Sequence, residues 1–241
     1  MNNLKDKVAL ITGGTKGIGF GIAESLLAQG INVAITGRSE ASAKEAATLL
    51  NAKGYTGIKA IGVASDVRDF KSQQKAVQTV LETFGKLDIV IANAGLGHFA
   101  NIEDLTIDQW QETIDTNLTG AFYSIKTSLN ALKKTEGYYI TISSLAGTNF
   151  FASGSAYNAS KFGVTGFTQA VMLDLRKHGI KVSTIMPGSV STHFNGHEPN
   201  DSDAWKIQKE DIGELVVDLL KMNPRTLPSK IEVRPSMPPS K

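Results

Sequence analysis

Strand-like and helix-like segments alternate along nearly the whole of the 241 residues, which predicts an α/β protein built on a parallel sheet of about seven strands, doubly wound, with helices on both faces. Two further observations support that class. The first strand-like run opens directly into a glycine-rich turn and a helix. No linker, internal repeat or low-complexity stretch divides the chain, so residues 1–241 read as one domain.

Composition narrows the function. The length is enough for one sizeable core. The net charge of +2 gives no footprint for nucleic acid or a membrane surface, so neither is expected as a partner. With no cysteine in the chain, disulfides, thiolate catalysis and cysteine metal sites are excluded. The start MNNLKDKVALITGG lacks the pattern of a cleaved signal. No apolar run approaches the ~18 residues that span a bilayer, and a soluble, cytoplasmic protein is expected.

Residues 7–12, KVALIT, read as the first strand, followed by Gly13, Gly14, Thr15, Lys16, Gly17, Ile18 and Gly19 and then by a helix stopping at Gly30. Glycines there allow a tight turn and close approach of the backbone to a pyrophosphate, which the helix N-terminus favours. Residues 31–36 form the second strand. Where an NAD-type site places an acid, this chain has Gly37-Arg38-Ser39, and Lys16 adds a second cation. Arg38 and Lys16 together point to a 2′-phosphate, hence to NADP(H) in preference to NAD(H).

A helix over 39–51 precedes a third strand at 58–64. Asp66-Val67 at its end are within reach of an adenine, Asp66 reading equally well as a cap or turn carboxylate. Asp69 caps a helix that ends at Gly85. The fourth strand, 87–92, leads into Asn93-Ala94-Gly95, at the sheet end where ligands bind. Thr106 to Gln109 has the spacing of a capping box and starts a long helix to about Lys133, interrupted by Asn117 and Gly120.

Residues 138–161, YYITISSLAGTNFFASGSAYNASK, carry the chemistry. A buried strand ends in Ser143 and Ser144, and a helix opens at Tyr157. Lys161, four residues on, lies one turn away on the same face, where its ammonium favours phenolate and lowers the phenol pKa. A hydroxyl such as Ser144 can hold a substrate oxygen against that phenol. A sixth strand, 180–186, is broken by Pro187-Gly188. Thr192 reads as a partner for a nicotinamide amide or as an ordinary loop threonine. Residues 193–208 read as a mobile loop over a cleft, and the substrate loop is set at about 189–209. A helix from about Glu210 to Lys221, a seventh strand at 231–233 and a tail MPPSK complete the chain.

Taken together, Thr12-Gly13-x-x-x-Gly17-Ile18-Gly19, Asn93-Ala94-Gly95, Asn117, Ser144, Tyr157-x-x-x-Lys161 and Pro187-Gly188 with Thr192 resemble the short-chain dehydrogenase/reductase family over roughly residues 5–234. That resemblance implies a single-domain Rossmann-type fold. It implies catalysis by Asn117, Ser144, Tyr157 and Lys161: Tyr157 exchanges a proton with the substrate oxygen, Lys161 lowers its pKa and binds the nicotinamide ribose, Ser144 holds the substrate oxygen, and Asn117 keeps a relay water. Hydride passes directly between nicotinamide and carbon, so no metal is expected. The implied cofactor set is Gly13, Thr15, Lys16, Gly17, Ile18, Gly19, Arg38, Asp66 and Val67, with Asn93, Ala94, Gly95, Tyr157, Lys161, Pro187, Gly188, Val190 and Thr192. A homo-oligomer, tetramer or dimer, built partly on two long helices, is implied as well.

The substrate pocket is assigned to His98, Ser144, Phe150, Phe151, Tyr157 and Phe194, with the phenylalanines on an apolar side or in packing. Ala92 stands where many relatives have a second asparagine. The C-terminus lacks the Gly-Gly ending of many ketoacyl-carrier-protein reductases, and the segment after Thr192 is short for that group. Both features favour a carbonyl or alcohol reductase of the sepiapterin/serine-dehydrogenase-like kind acting on a ketone, aldehyde or secondary alcohol. The alternatives are an NAD-dependent alcohol or sugar dehydrogenase, a ketoacyl-thioester reductase, and a cofactor-sensing protein without chemistry.

Overall fold

Four apolar residues in succession, Val8–Ile11, form β1 at the middle of the sheet in the computed structural model, which describes residues 4–237. Residues 1–3 and 238–241, the latter most of the expected tail, lie outside the described residues. Alternate side chains of β1 feed opposite faces: Ala9 and Ile11 enter one apolar cluster, Val8 and Leu10 the other. Burial on both faces is why the strand reads as an unbroken apolar run.

The remaining strands are β2 (Asn32–Gly37), β3 (Ala60–Ala64), β4 (Ile89–Ala92), β5 (Tyr138–Ile142), β6 (Lys181–Pro187) and β7 (Lys230–Val233). All pair in parallel in the order β3-β2-β1-β4-β5-β6-β7. The chain builds outward from β1 to β3 and then returns to β4 on the other side of β1. The crevice beyond the carboxyl ends of β1 and β4 is therefore the switch point where open α/β sheets bind ligands.

α1 (Gly17–Ala28), α2 (Glu40–Asn51) and α7 (Lys209–Lys221) cover one face of the sheet through Ile22, Leu26, Leu50, Ile212 and Val216. The other face is covered by α3 (Phe70–Phe84), α5 (Gly120–Thr135) and α6 (Ser155–Leu175) through Val77, Val80, Ile125, Leu132 and Leu175. α2 lies so close to β3 that a Cβ on Gly62 would collide with the Ala43 carbonyl oxygen.

Local signals behave as their chemistry requires. The Asp69 carboxylate accepts from Lys71 N at 2.9 Å, and Gly85 closes α3 with φ +77°. Thr106 and Gln109 form the capping box. The long helix expected over 106–133 is instead two, α4 (Ile107–Ile114) and α5, joined by a π turn at Asp115–Thr119. The turn adds one residue to the helical repeat and aims Asn117 inward, where it is 3% exposed. Residues 193–208, read as a mobile loop, fold into two single 3₁₀ turns held by a buried carboxylate described below.

Candidate active site

A cleft of about 1290 Å³ runs across the carboxyl ends of the central strands. At one end lies the glycine turn. Gly13 has φ +64°, and a Cβ there would come within 2.9 Å of the Ala94 Cα, so the turn abuts the end of β4. Asn93 fixes this contact: its Nδ2 donates to the carbonyls of Thr12 and Gly13 at 2.9 and 3.0 Å. Thr12 Oγ1 in turn accepts from the amides of Asn93 and Ala94 at 3.1 Å each. α1 starts at the cleft with no side-chain cap and no acid in its first turn, which leaves its first N–H groups for an anion. Thr15, Lys16, Ile18 and Arg38 line this end. Lys16 and Arg38 are exposed, and among the described residues neither joins an ion pair.

Asp66 also lines the cleft, but as a turn carboxylate: it accepts from Arg68 N at 3.0 Å and takes the Arg68 guanidinium on both oxygens. Those bonds hold its carboxyl below the usual range. Val67 is buried against Gly120.

The serines ending β5 point opposite ways. Ser143 turns into the protein, bonding Lys161 O and Thr165 Oγ1 at 3.1 and 3.0 Å. Ser144 faces the cleft, its Oγ accepting from Ala146 N at 3.1 Å. Thr141 of β5 meets Thr168 of α6 and Thr184 of β6, each at 2.9 Å. These hydroxyl contacts seat α6, and α6 carries Tyr157 and Lys161 into the cleft beside Ser144.

Lys161 is 5% exposed, and burial pushes its ammonium down to about 8. Its Nζ donates to Ile142 O at 3.0 Å and stands 5.6 Å from the Tyr157 ring centre. The expectation that the lysine lowers the phenol pKa is not met in the protein alone. Burial dominates and pushes Tyr157 up, with the Ser144 hydroxyl beside it acting in the opposite sense. Asn117 is bound to the protein on every side: Nδ2 donates to Leu96 O and Ser160 Oγ at 2.8 and 2.9 Å, and Oδ1 accepts from Leu96 N at 2.9 Å. Asn117 Oδ1 and Lys161 Nζ both border the space over Gly95.

Three phenylalanines surround the phenol. Phe99 lies 5.3 Å from Tyr157 between ring centres and Phe194 lies 5.7 Å from it, with Phe151 packed on Phe99 at 5.9 Å. Phe150 does not join them; it is 86% exposed and outside the cleft wall. His98 lines the cleft and bonds Glu112 at 2.9 Å, and Glu112 also takes Arg68 at 3.2 Å. Pro187, Gly188, Val190 and Thr192 form the opposite wall, Thr192 packing toward Gly17.

Residues 7–203 match the short chain dehydrogenase family. The chain belongs to the short-chain dehydrogenase family. Among its relatives is trans-4-hydroxycyclohexanecarboxylate dehydrogenase of Sinomonas cyclohexanicum, 36% identical over 90% of this chain and 87% of that protein. An uncharacterized oxidoreductase of Staphylococcus aureus is 34% identical over 98% of this chain and its own full length. An alcohol dehydrogenase of Thermococcus sibiricus, solved with 5-hydroxy-NADP, superposes with TM-score 0.89 at 29% identity, covering 98% and 99% of the two chains. A short chain dehydrogenase of Burkholderia cenocepacia, solved with NADP, gives TM-score 0.87 at 30% identity over 97% and 98%.

For this short-chain dehydrogenase, sequence reasoning left three participants off its site assignments. Phe99 carried only the signal of an aromatic next to His98. Arg68 carried only the signal of a cation two residues after Asp66. Asp203, in a loop without periodicity, carried none. No helix among the described residues is long and apolar enough to cross a membrane.

Proposed function

We propose that this short-chain dehydrogenase is an NADP(H)-dependent oxidoreductase that reduces a ketone or aldehyde to an alcohol, or runs the reverse oxidation. The observation that carries the reading is the convergence of Ser144, Tyr157 and the buried Lys161 at one end of a cleft whose other end holds the exposed cations Lys16 and Arg38. The cleft suits a dinucleotide: the glycine turn has no side chain where a pyrophosphate would pass, α1 is uncapped there, and Arg38 and Lys16 would hold a 2′-phosphate. When bound, the nicotinamide supplies or accepts the hydride.

The chain's own residues manage the oxygen. In reduction the Tyr157 hydroxyl gives its proton to the carbonyl oxygen as negative charge grows there, and Ser144 Oγ donates a hydrogen bond to the same atom. The Lys161 ammonium stabilises the phenolate left behind. Phe99, Phe151 and Phe194 give the phenol an apolar surround that suits an apolar carbonyl compound. A cytoplasmic location belongs to the same proposal, as does a homo-oligomer joined through the exposed Phe122, Phe162 and Leu173 of α5 and α6. Turnover of a carbonyl panel with NADPH and NADH in parallel tests the reading. NADPH should be preferred, and Tyr157→Phe should lose about 10³-fold in kcat with cofactor affinity retained. Wild-type activity in that variant, or a large NADH preference, defeats it.

The Sinomonas relative favours a second reading, oxidation of a secondary alcohol on a ring. Supplying cyclohexanols with oxidised cofactor distinguishes the directions.

A further inference from the structure

We propose that Asp203 is a positioning residue that sets the substrate-facing wall opposite Tyr157, an inference that rests on the function proposed above. Backbone bonds stitch the two ends of a loop spanning residues 190–207: Val190 and Ile207 form a parallel bridge, with Ser191 N to Ile207 O at 2.9 Å and Ile207 N to Ser189 O at 3.1 Å. Inside the loop the Asp203 side chain is only 4% exposed. It accepts from Ser191 Oγ at 3.1 Å, from His197 Nε2 at 2.5 Å and from Lys206 Nζ at 2.5 Å. A carboxylate can only accept, which places the His197 proton on Nε2.

The three donors come from the start, the middle and the end of the loop, so a single buried anion draws all of it together. His197, Trp205 and Lys206 face the cleft from this clasp, and Phe194 packs against the Tyr157 ring. Ser191 adjoins Thr192, which packs toward the Gly17 turn, so the same clasp reaches the cofactor end. Ser144, Tyr157 and Lys161 take their places from β5 and α6, which owe nothing to Asp203. Loosening the clasp therefore disperses the substrate wall and leaves the proton-transfer groups standing. The expected signature is a raised KM with kcat nearly intact.

The chain has two tryptophans, Trp110 and Trp205, so Trp110→Phe leaves one reporter inside the loop. In that background Asp203→Asn should raise the KM for the carbonyl substrate at least tenfold and change kcat less than threefold. Its Trp205 emission should move to the red, and protease cleavage within 190–207 should run at least tenfold faster. Lys206→Arg, which keeps the ion pair, should be cleaved within 190–207 no faster than the Trp110→Phe parent. If Asp203→Asn does not fold, Ser191→Ala and Lys206→Met each remove one donor and should each raise KM threefold or more. An unchanged KM in Asp203→Asn, or in both single-donor variants, overturns the positioning role even where the loop loosens. A parent protein without turnover on any carbonyl overturns the functional reading instead, and the fluorescence and cleavage rates then report the clasp separately.

Discussion

Lys161 Nζ stands 5.6 Å from the centre of the Tyr157 ring and gives its hydrogen bond to the Ile142 carbonyl instead of the phenol. The ammonium is thus held by the end of β5 and desolvated by burial, with a folded pKa of about 8 against 10.5 when solvated. The folded state binds this proton more weakly than the unfolded one, so the group opposes folding fully below pH 8. That opposition fades as pH rises from about 8 to 10.5.

Replacing Lys161 by Met removes the penalty. The shift corresponds to roughly 3 kcal/mol, and loss of the Ile142 bond offsets about 1 kcal/mol of it. Denaturant unfolding of the cofactor-free proteins should show Lys161→Met more stable by about 2 kcal/mol at pH 7, with the gap closing by pH 10. The variant should also lose at least about 100-fold in turnover. A less stable variant at pH 7 would contradict the burial argument.

Among the described residues neither Arg38 nor Lys16 joins an ion pair, so their effect should appear in cofactor choice. Arg38→Asp should lower kcat/KM with NADPH about 10–100-fold, the loss of a charged hydrogen bond to phosphate, and raise it with NADH. Equal changes with both cofactors would place Arg38 outside the recognition of the 2′ position.

Asn117 closes both main-chain groups of Leu96 and the Ser160 hydroxyl. Asn117→Ala removes the partner of both half-buried main-chain groups of Leu96 and one of the bonds of the Ser160 hydroxyl, which keeps Tyr157 O, and thermal or denaturant unfolding should show a loss of about 1–3 kcal/mol. Asn117→Asp should be comparably poor, because a carboxylate repels the Leu96 carbonyl. If the residue served only to hold a water, stability would be unchanged in both.

Gly62 tests how α2 docks on the sheet. A methyl there would collide with the Ala43 carbonyl, which is backbone and has little freedom to yield. Gly62→Ala should cost about 1–3 kcal/mol in unfolding experiments, whereas Gly54→Ala, with open space around it, should register only the strain of its φ of +77°.

Most of the architecture was legible because the central strands β1, β2, β4 and β5 are buried on both faces and helices such as α3, α4 and α7 are amphipathic, so period and punctuation agree. Ser144 was separable from Ser143 only through the resemblance, whose spacing to Tyr157 it fits; in the structure the two consecutive side chains leave the strand end on opposite sides. The same rule fails on loops. Phe150 and Phe151 are neighbours in a segment with no repeat, and nothing local tells which one turns inward. Helix spacing reports the nearness of Lys161 to Tyr157 but not the depth at which the pair is buried, and that burial is what pushes the phenol pKa up in the protein alone. The Asp203 clasp joins residues 3 to 12 positions apart through one anion, a pattern that periodicity does not encode.

The helix bearing the phenol rests on its sheet partly through oxygen. A helix lying on hydrocarbon can glide a fraction of a turn at small cost, whereas one keyed by Thr141, Thr168 and Thr184, with Ser143 and Thr165 one turn away, must break several directional bonds at once. The depth to which Tyr157 reaches is therefore indexed from inside the protein. Mutational drift among aliphatic residues on the far side of the sheet should be silent in the chemistry, while an isosteric threonine-to-valine exchange beneath this helix should be heard there first.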